Sequence, residues 1–202
     1  MTTKKFGFDL DNTLIDYSQS TFEYCKLNNL PLYTTLKDLR KFIKYEMKDD
    51  ENWQAAQAWL YTDGLNYAFL KKGANEFFKV LAKNDFDLSI VSHKTSHTQE
   101  KHGSHELHFR VLKWLSSRID PKFFKIGVNI YLEPTKYAKI QKIRDLKIDY
   151  FVDDLLEVLV DKNFPRTTKK YLLSSEKEYN LPQEIISVLN FKEICIELNL
   201  PT

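Results

Sequence analysis

Two carboxylates, Asp9 and Asp11, stand two residues apart where the apolar stretch Phe6-Gly7-Phe8 gives way to a turn opening with Asn12 and Thr13. Side chains at i and i+2 of an extended chain point the same way, so this pair can converge just past a strand end. Two convergent acids with no obvious neutraliser beside them call for a hard cation, of which Mg²⁺ is the usual one. A second acidic pair, Asp153-Asp154, follows the apolar Tyr150-Phe151-Val152, and Ser92 closes the apolar stretch Leu88-Ser89-Ile90-Val91. All of these groups fall at expected strand ends, where one site could hold them.

The elements that must position them read as an alternation. Strand-like runs occupy 86–92, 125–132, 148–152 and 170–173, and helical patterns fill 73–83, 106–117, 136–146 and 155–162. Strands alternating with helices of this length predict a parallel sheet covered on both faces, with ligands at the carboxyl ends of its strands. The expected fold class is α/β, a Rossmann-like parallel sheet with a small all-α cap. Between the first and second strands the pattern changes to three helical stretches, near 20–28, 35–48 and 52–69, with no convincing strand among them. Trp53, Trp59, Leu60, Tyr61, Leu65, Tyr67 and Phe69 give this region its own apolar mass. It reads as an insertion over the strand ends, dividing the chain into a core of 1–16 and 73–202 and a cap of 17–72. The last stretch, 181–200, reads as one or two amphipathic helices packed on the sheet.

Composition narrows the function classes. The 202 residues hold one good core plus an appendage. Thirty basic residues against twenty-eight acidic ones leave a formal charge of +2, too balanced for a nucleic-acid footprint. Cys25 and Cys195 lie at opposite ends of the chain with no metal or redox spacing, which points to a reducing compartment. The first strand starts within about five residues of Met1, and no apolar run approaches the roughly 20 residues of a membrane span. A cytoplasmic protein without a membrane partner is expected. Only five glycines occur, and no Gly-rich phosphate loop is among them. All five histidines fall between His93 and His108, with His102, His105 and His108 at every third position. A metal site, a solvated loop and a substrate-facing role, the last centred on His93, all fit that pattern.

Taken together, the stretches Asp9-Leu10-Asp11-Asn12-Thr13, Leu88-Ser89-Ile90-Val91-Ser92, Pro134-Thr135-Lys136-Tyr137-Ala138-Lys139 and Tyr150-Phe151-Val152-Asp153-Asp154 resemble, in order and spacing, the four motifs of the haloacid dehalogenase-like (HAD) superfamily of phosphohydrolases. The resemblance implies that Asp9 attacks phosphorus, that Asp11 serves as acid and base, and that the substrate is a phosphate ester rather than a carbon–halogen compound. It implies Mg²⁺ held by Asp9, the backbone carbonyl of Asp11 and the Asp153/Asp154 pair, with Asp154 favoured as the direct ligand. Ser92, Thr13 and His93 are the expected substrate or phosphate contacts. Lys136 is the expected charge-balancing lysine, because it stands where the loop enters its helix, and Lys139 is the competitor one turn on. The implied activity is a Mg²⁺-dependent phosphatase acting on a small phosphorylated metabolite, a sugar phosphate or nucleotide, through an aspartyl-phosphate. A phosphomutase and a non-catalytic binding protein are the alternatives.

Overall fold

The computed structural model describes residues 3–98 and 105–202. Along the chain, β1 (Lys4–Phe8) leads to β2 (Ile15–Asp16), α1 (Ser18–Leu27), α2 (Leu36–Lys41), α3 (Asp50–Leu60) and β3 (Phe69–Leu70). A π-helical turn, Phe42–Glu46, continues α2, and a 3₁₀ turn, Asp63–Asn66, precedes β3. Then follow α4 (Ala74–Lys83), β4 (Phe86–His93), α5 (Leu107–Ser116), β5 (Ile130–Glu133), α6 (Lys136–Asp145) and β6 (Tyr150–Asp153). The chain finishes with α7 (Leu156–Leu159), β7 (Lys169–Leu173), β8 (Ile185–Val188) and α8 (Phe191–Glu197). No helix among the described residues is long and apolar enough to cross a membrane.

The first of two compact units comprises residues 1–14, 71–94 and 119–202. Its six strands form one sheet in the order β5-β4-β1-β6-β7-β8, every neighbouring pair parallel. The fold class is therefore α/β and Rossmann-like, as expected. Alternation sorts the side chains into two cores. Phe6 and Phe8 of β1 meet Phe77 and Phe78 of α4, and Phe77 stacks on Phe191 of α8. On the other face Val91, Phe151 and Leu172 pack with Ile140 and Ile143 of α6 and Val158 and Leu159 of α7. Gly7 faces this second core, where an added Cβ would come within 2.6 Å of the Phe151 ring. The residue is glycine because the central strand must leave that space to Phe151. Chain order reverses between β1 and β6, a switch point where open α/β sheets leave a crevice at the strand ends.

Two expectations fail here. Residues 181–200 hold a strand, β8, ahead of a helix, because Ile185-Ile186-Ser187-Val188 is a β-branched run that pairs with β7. A helical spacing of apolar residues overlaps it and masked the strand. The third expected strand, 125–132, is extended only at its end, since Gly127 takes a positive φ of 77° and turns the chain before β5.

The second unit comprises residues 15–70 together with 95–118. Tyr24, Cys25, Leu39, Ile43, Trp53, Ala56 and Leu60 form its core. Thr35 caps α2 by accepting from the Asp38 N–H, and Asp49 caps α3 by accepting from Asn52. The expected boundaries differ in two respects. The insertion opens and closes with an antiparallel strand pair, β2 with β3, where no strand was expected. Helix α5, expected in the core, belongs to this unit: its Trp114 is buried, and the indole Nε1–H donates to the Leu65 carbonyl at 3.0 Å.

Candidate active site

The end of β1 is tied to its neighbour when the Asp9 N–H donates to the Val152 carbonyl at 2.9 Å. That bond sets Asp9 beside the end of β6, with Asp153 and Asp154. The Asp9 carboxylate is buried and its Oδ1 accepts twice, from Ser92 Oγ at 2.9 Å and from Lys139 Nζ at 2.6 Å. The same ammonium donates to Asp153 Oδ2 at 2.6 Å, and Asp153 Oδ1 accepts from the Leu155 N–H at 3.0 Å. Asp154 is the less enclosed of the pair and receives the Asn12 amide at 3.2 Å. Asn12 itself sits at a positive φ of 59°, a left-handed turn that asparagine tolerates better than most residues.

The lysine that balances these charges is Lys139, not Lys136. Thr135 caps α6 through the Ala138 N–H, so Lys136 begins the helix on its exposed side and pairs with Asp161 at 3.3 Å. Lys139 shares the buried stripe of Ile140 and Ile143 and points inward, 2% exposed. An ammonium in an apolar stripe needs a buried anion, and that was the available signal in the sequence.

A second buried lysine was missed altogether. Lys94 Nζ donates to Asp11 Oδ2 at 2.8 Å, with the lysine side chain almost wholly enclosed. Its backbone N–H bonds to Glu133, which prolongs the β4–β5 alignment and sends Lys94 to the side of Ser92, two residues before it. Continuing the strand alternation past Ser92 would have found it. Because β1 ends at Phe8, Asp9 and Asp11 approach through a turn rather than along a strand. The Asp11 carboxylate goes to Lys94 and is not part of the tightest acidic group.

Ser92, Asp9, Asp153 and Asp154 are thus brought together, and Thr13 lies fully buried close by in sequence, its Oγ1 without a hydrogen-bond partner. His93 is exposed at the margin, its Nε2 3.1 Å from the Pro134 carbonyl. Partial desolvation of the ring, with Lys139 and Lys94 nearby, holds its pKa below the ordinary value. Of the histidine series, His102 lies outside the described residues, His97 contacts Ser96 and His105 contacts Arg110.

Charge decides what this site can hold. Burial pushes the Asp9 carboxyl up to about 7, against the pull of Lys139 and with the push of Asp153 and Asp11. Burial likewise raises Asp154 well above the carboxylate range, reinforced by Asp153 and Asp9. Burial alone would lower Lys139, but Asp153 and Asp9 hold its ammonium well above the usual lysine range. One oxygen each from Asp9, Asp153 and Asp154 lie within 4.8 Å of one another. Three acidic groups share one ammonium, a crowding that holds Asp9 and Asp154 high, and an all-oxygen donor set of this kind suits a hard divalent cation. Both Asp153 oxygens already accept bonds, which makes Asp9 and Asp154 the better direct donors.

Solved structures with the same architecture settle the fold. A "Putative haloacid dehalogenase-like hydrolase" from Bacteroides fragilis superposes with a TM-score of 0.58 at 14% identity, over 95% of this chain and 100% of that one. The fold is that of the HAD hydrolases. A HAD-superfamily hydrolase of subfamily IA from Geobacter sulfurreducens gives a TM-score of 0.53 at 13% identity, covering 97% of this chain and 96% of its own. A "putative HAD-hydrolase" from Bacillus subtilis, solved bound to magnesium, gives 0.53 at 18% identity over 98% and 100%. By sequence, a Bacillus cereus protein described as "Putative nucleotidase" is 27% identical over 192 residues, 89% of this chain and 92% of that protein. No protein-family model matches the chain. In this HAD-fold sheet three of the four stretches that carried the resemblance meet the carboxyl ends of β1, β4 and β6, and the fourth leaves β5 and opens α6, from which Lys139 reaches Asp9.

Proposed function

We propose that this chain is a Mg²⁺-dependent phosphatase that hydrolyses phosphate monoesters of small metabolites through an aspartyl-phosphate on Asp9. The observation that carries the proposal is the carboxylate of Asp9, buried at the switch point, oriented by Ser92 and Lys139 and facing Asp154. With Oδ1 held by those two donors, Oδ2 is the oxygen that attacks phosphorus. As the Asp9–phosphorus bond forms, the ester P–O bond breaks and Asp11 delivers a proton to the departing oxygen. Water then attacks the phosphoryl group, Asp11 takes its proton, and inorganic phosphate leaves with Asp9 restored. Lys94 holds the Asp11 carboxylate in place for both transfers. Lys139 offsets the negative charge that gathers on Asp9 and the phosphoryl oxygens.

Asp9 and Asp154, with the Asp11 backbone carbonyl, would hold the Mg²⁺, which supplies electrostatic stabilisation of the phosphoryl oxygens. The magnesium-bound Bacillus subtilis structure supports this choice of ion. The nucleotidase description of the Bacillus cereus relative supports a nucleotide within the small-metabolite class. Two buried free thiols, Cys25 and Cys195, are in keeping with a cytoplasmic protein.

A phosphate-release screen over nucleoside monophosphates and sugar phosphates tests the proposal. Turnover should require Mg²⁺, stop with chelator and vanish in Asp9→Asn. Turnover that survives Asp9→Asn contradicts it.

A further inference from the structure

Ser92, His93 and Lys94, at the end of β4, each bond to a different part of the first unit. Ser92 Oγ donates to Asp9 and Lys94 Nζ to Asp11. His93 stands between them on the opposite side of the strand, exposed where both neighbours are buried. Its Nε2 lies 3.1 Å from the Pro134 carbonyl, 41 residues away. A carbonyl can only accept, so Nε2 carries the proton, and that nitrogen is committed to the chain rather than to a substrate.

The carbonyl it reaches belongs to the peptide that leads into α6. Glu133 closes β5 and pairs with His93 across the sheet. Only Pro134 and Thr135 separate it from the first helical residue. Proline fixes its own φ and holds the residue before it extended, so Glu133-Pro134 is a stiff lever. Thr135 then caps the helix. Its Oγ1 accepts from the Ala138 N–H at 3.0 Å, and its carbonyl accepts from the Lys139 N–H at 3.0 Å. Lys139 therefore lies one turn into α6, where its direction depends on how the chain enters the helix.

Further along, α6 is held by apolar contact. Ile140 and Ile143 sit in the core with Val91 and Phe151, and apolar burial is non-directional. The demand on Lys139 is directional. Its ammonium meets Asp9 and Asp153 at 2.6 Å each, and each residue along a helix turns the side chain by about 100°. A small rotation of α6 that its apolar face tolerates would break one of those bonds. Bonds from the end of β4 oppose it: the Lys94 N–H to the Glu133 carbonyl at 2.8 Å, and the His93 ring to Pro134. The first aligns the strands, and the second grips the peptide that enters the cap.

We infer that His93 is a positioning residue for phosphoryl transfer: it ties the end of β4 to the entry of α6 and so fixes Lys139 between Asp9 and Asp153. Its effect on turnover rests on the phosphatase reading, whereas its effect on the lysine does not.

The test replaces His93 by Phe, which keeps a ring without a donor, and by Gln, whose Nε2 amide restores one. The Lys139 ammonium is followed by heteronuclear NMR in chelator, its resonance assigned by its loss in Lys139→Met. In parallel, kcat and KM are measured on an aryl phosphate with Mg²⁺. His93→Phe should move the ammonium resonance and lower kcat about 10–100-fold with little change in KM, since a misplacement of about 1 Å costs that much. His93→Gln should restore both. Circular dichroism confirms that each variant is folded, and His93→Ala takes the place of the Phe variant if that one fails to fold. If the parent hydrolyses no phosphate ester, the phosphatase reading fails and the ammonium resonance decides the inference by itself. An unmoved resonance in His93→Phe, full kcat in that variant, or a Gln variant that behaves like Phe overturns it.

Discussion

Replacing Lys139 by Met, and Lys136 by Met in parallel, separates two lysines one helical turn apart by what each is bonded to. Lys139 is 2% exposed and donates at 2.6 Å to both Asp9 and Asp153. Its removal leaves buried carboxylates without their cation, a change that costs about 3–5 kcal/mol when one partner of a buried pair is deleted. Lys136 is 42% exposed and meets Asp161 at 3.3 Å, a surface pair worth about 0–1 kcal/mol. For a chain of this length, about 2–4 °C of Tm per kcal/mol turns the Lys139 deficit into a fall of about 6–20 °C. Lys136→Met should fall by no more than about 4 °C on the same conversion. The assay is thermal unfolding followed by circular dichroism, in chelator, at pH 5 and pH 8. Without Lys139 the acids hold a proton to higher pH in the folded state. The Lys139→Met deficit should therefore be smaller at pH 5 than at pH 8. Equal Tm values for the two variants would refute the assignment of charge balance to Lys139.

Burial raises Asp9 to about 7 from its ordinary 3.8, so the folded state binds the extra proton between those values. That contribution to stability is full below about pH 4 and is lost as pH rises through about 7. Because Mg²⁺ competes with that proton, the rise in Tm on adding Mg²⁺ should be larger at pH 8 than at pH 5, measured by scanning fluorimetry; an equal or larger rise at pH 5 would contradict the metal assignment. Asp11→Asn should lower kcat on an aryl phosphate by about 10²–10⁴-fold. Lys94→Met should lower kcat by a smaller factor with little change in KM, and full kcat in that variant would remove its positioning role. Gly7→Ala should destabilise the fold by about 1–3 kcal/mol in urea titration, because the new Cβ falls 2.6 Å from the Phe151 ring; an unchanged midpoint would mean that the ring has room to move.

Much of the sheet and half of the site were legible in the sequence, for identifiable reasons. Phe86–Ser92 and Tyr150–Val152 are short apolar runs that end in polar side chains, so their strand ends, and with them Ser92, Asp153 and Asp154, could be placed from local pattern alone. Asp9 followed in the same way from Phe6–Phe8. Lys139 did not, because choosing between two lysines three residues apart depends on which side of α6 the sheet covers, a fact of packing rather than of junction position. The useful sign was its place beside Ile140 and Ile143. Lys94 lay hidden in a histidine-rich stretch, although strand alternation beyond Ser92 reaches it. The β8 strand carries apolar residues that satisfy a helical period as well as an extended one, and only its pairing with β7 decides between them. Helix α5 reads as an ordinary crossover helix in sequence. Its membership of the second unit depends on bonds such as Trp114 to Leu65, between residues 49 apart in the chain.

In the proposed reaction phosphorus becomes bonded to Asp9. Reaction of the Mg²⁺-loaded protein with a radiolabelled phosphate ester, acid quenching within the first turnover and peptide mapping of the label test it directly. An acid-stable, base-labile acyl phosphate is expected on the peptide containing Asp9, absent from Asp9→Asn and longer-lived in Asp11→Asn than in the parent. Label on another residue, or phosphate release at the parent rate by Asp9→Asn, would contradict it.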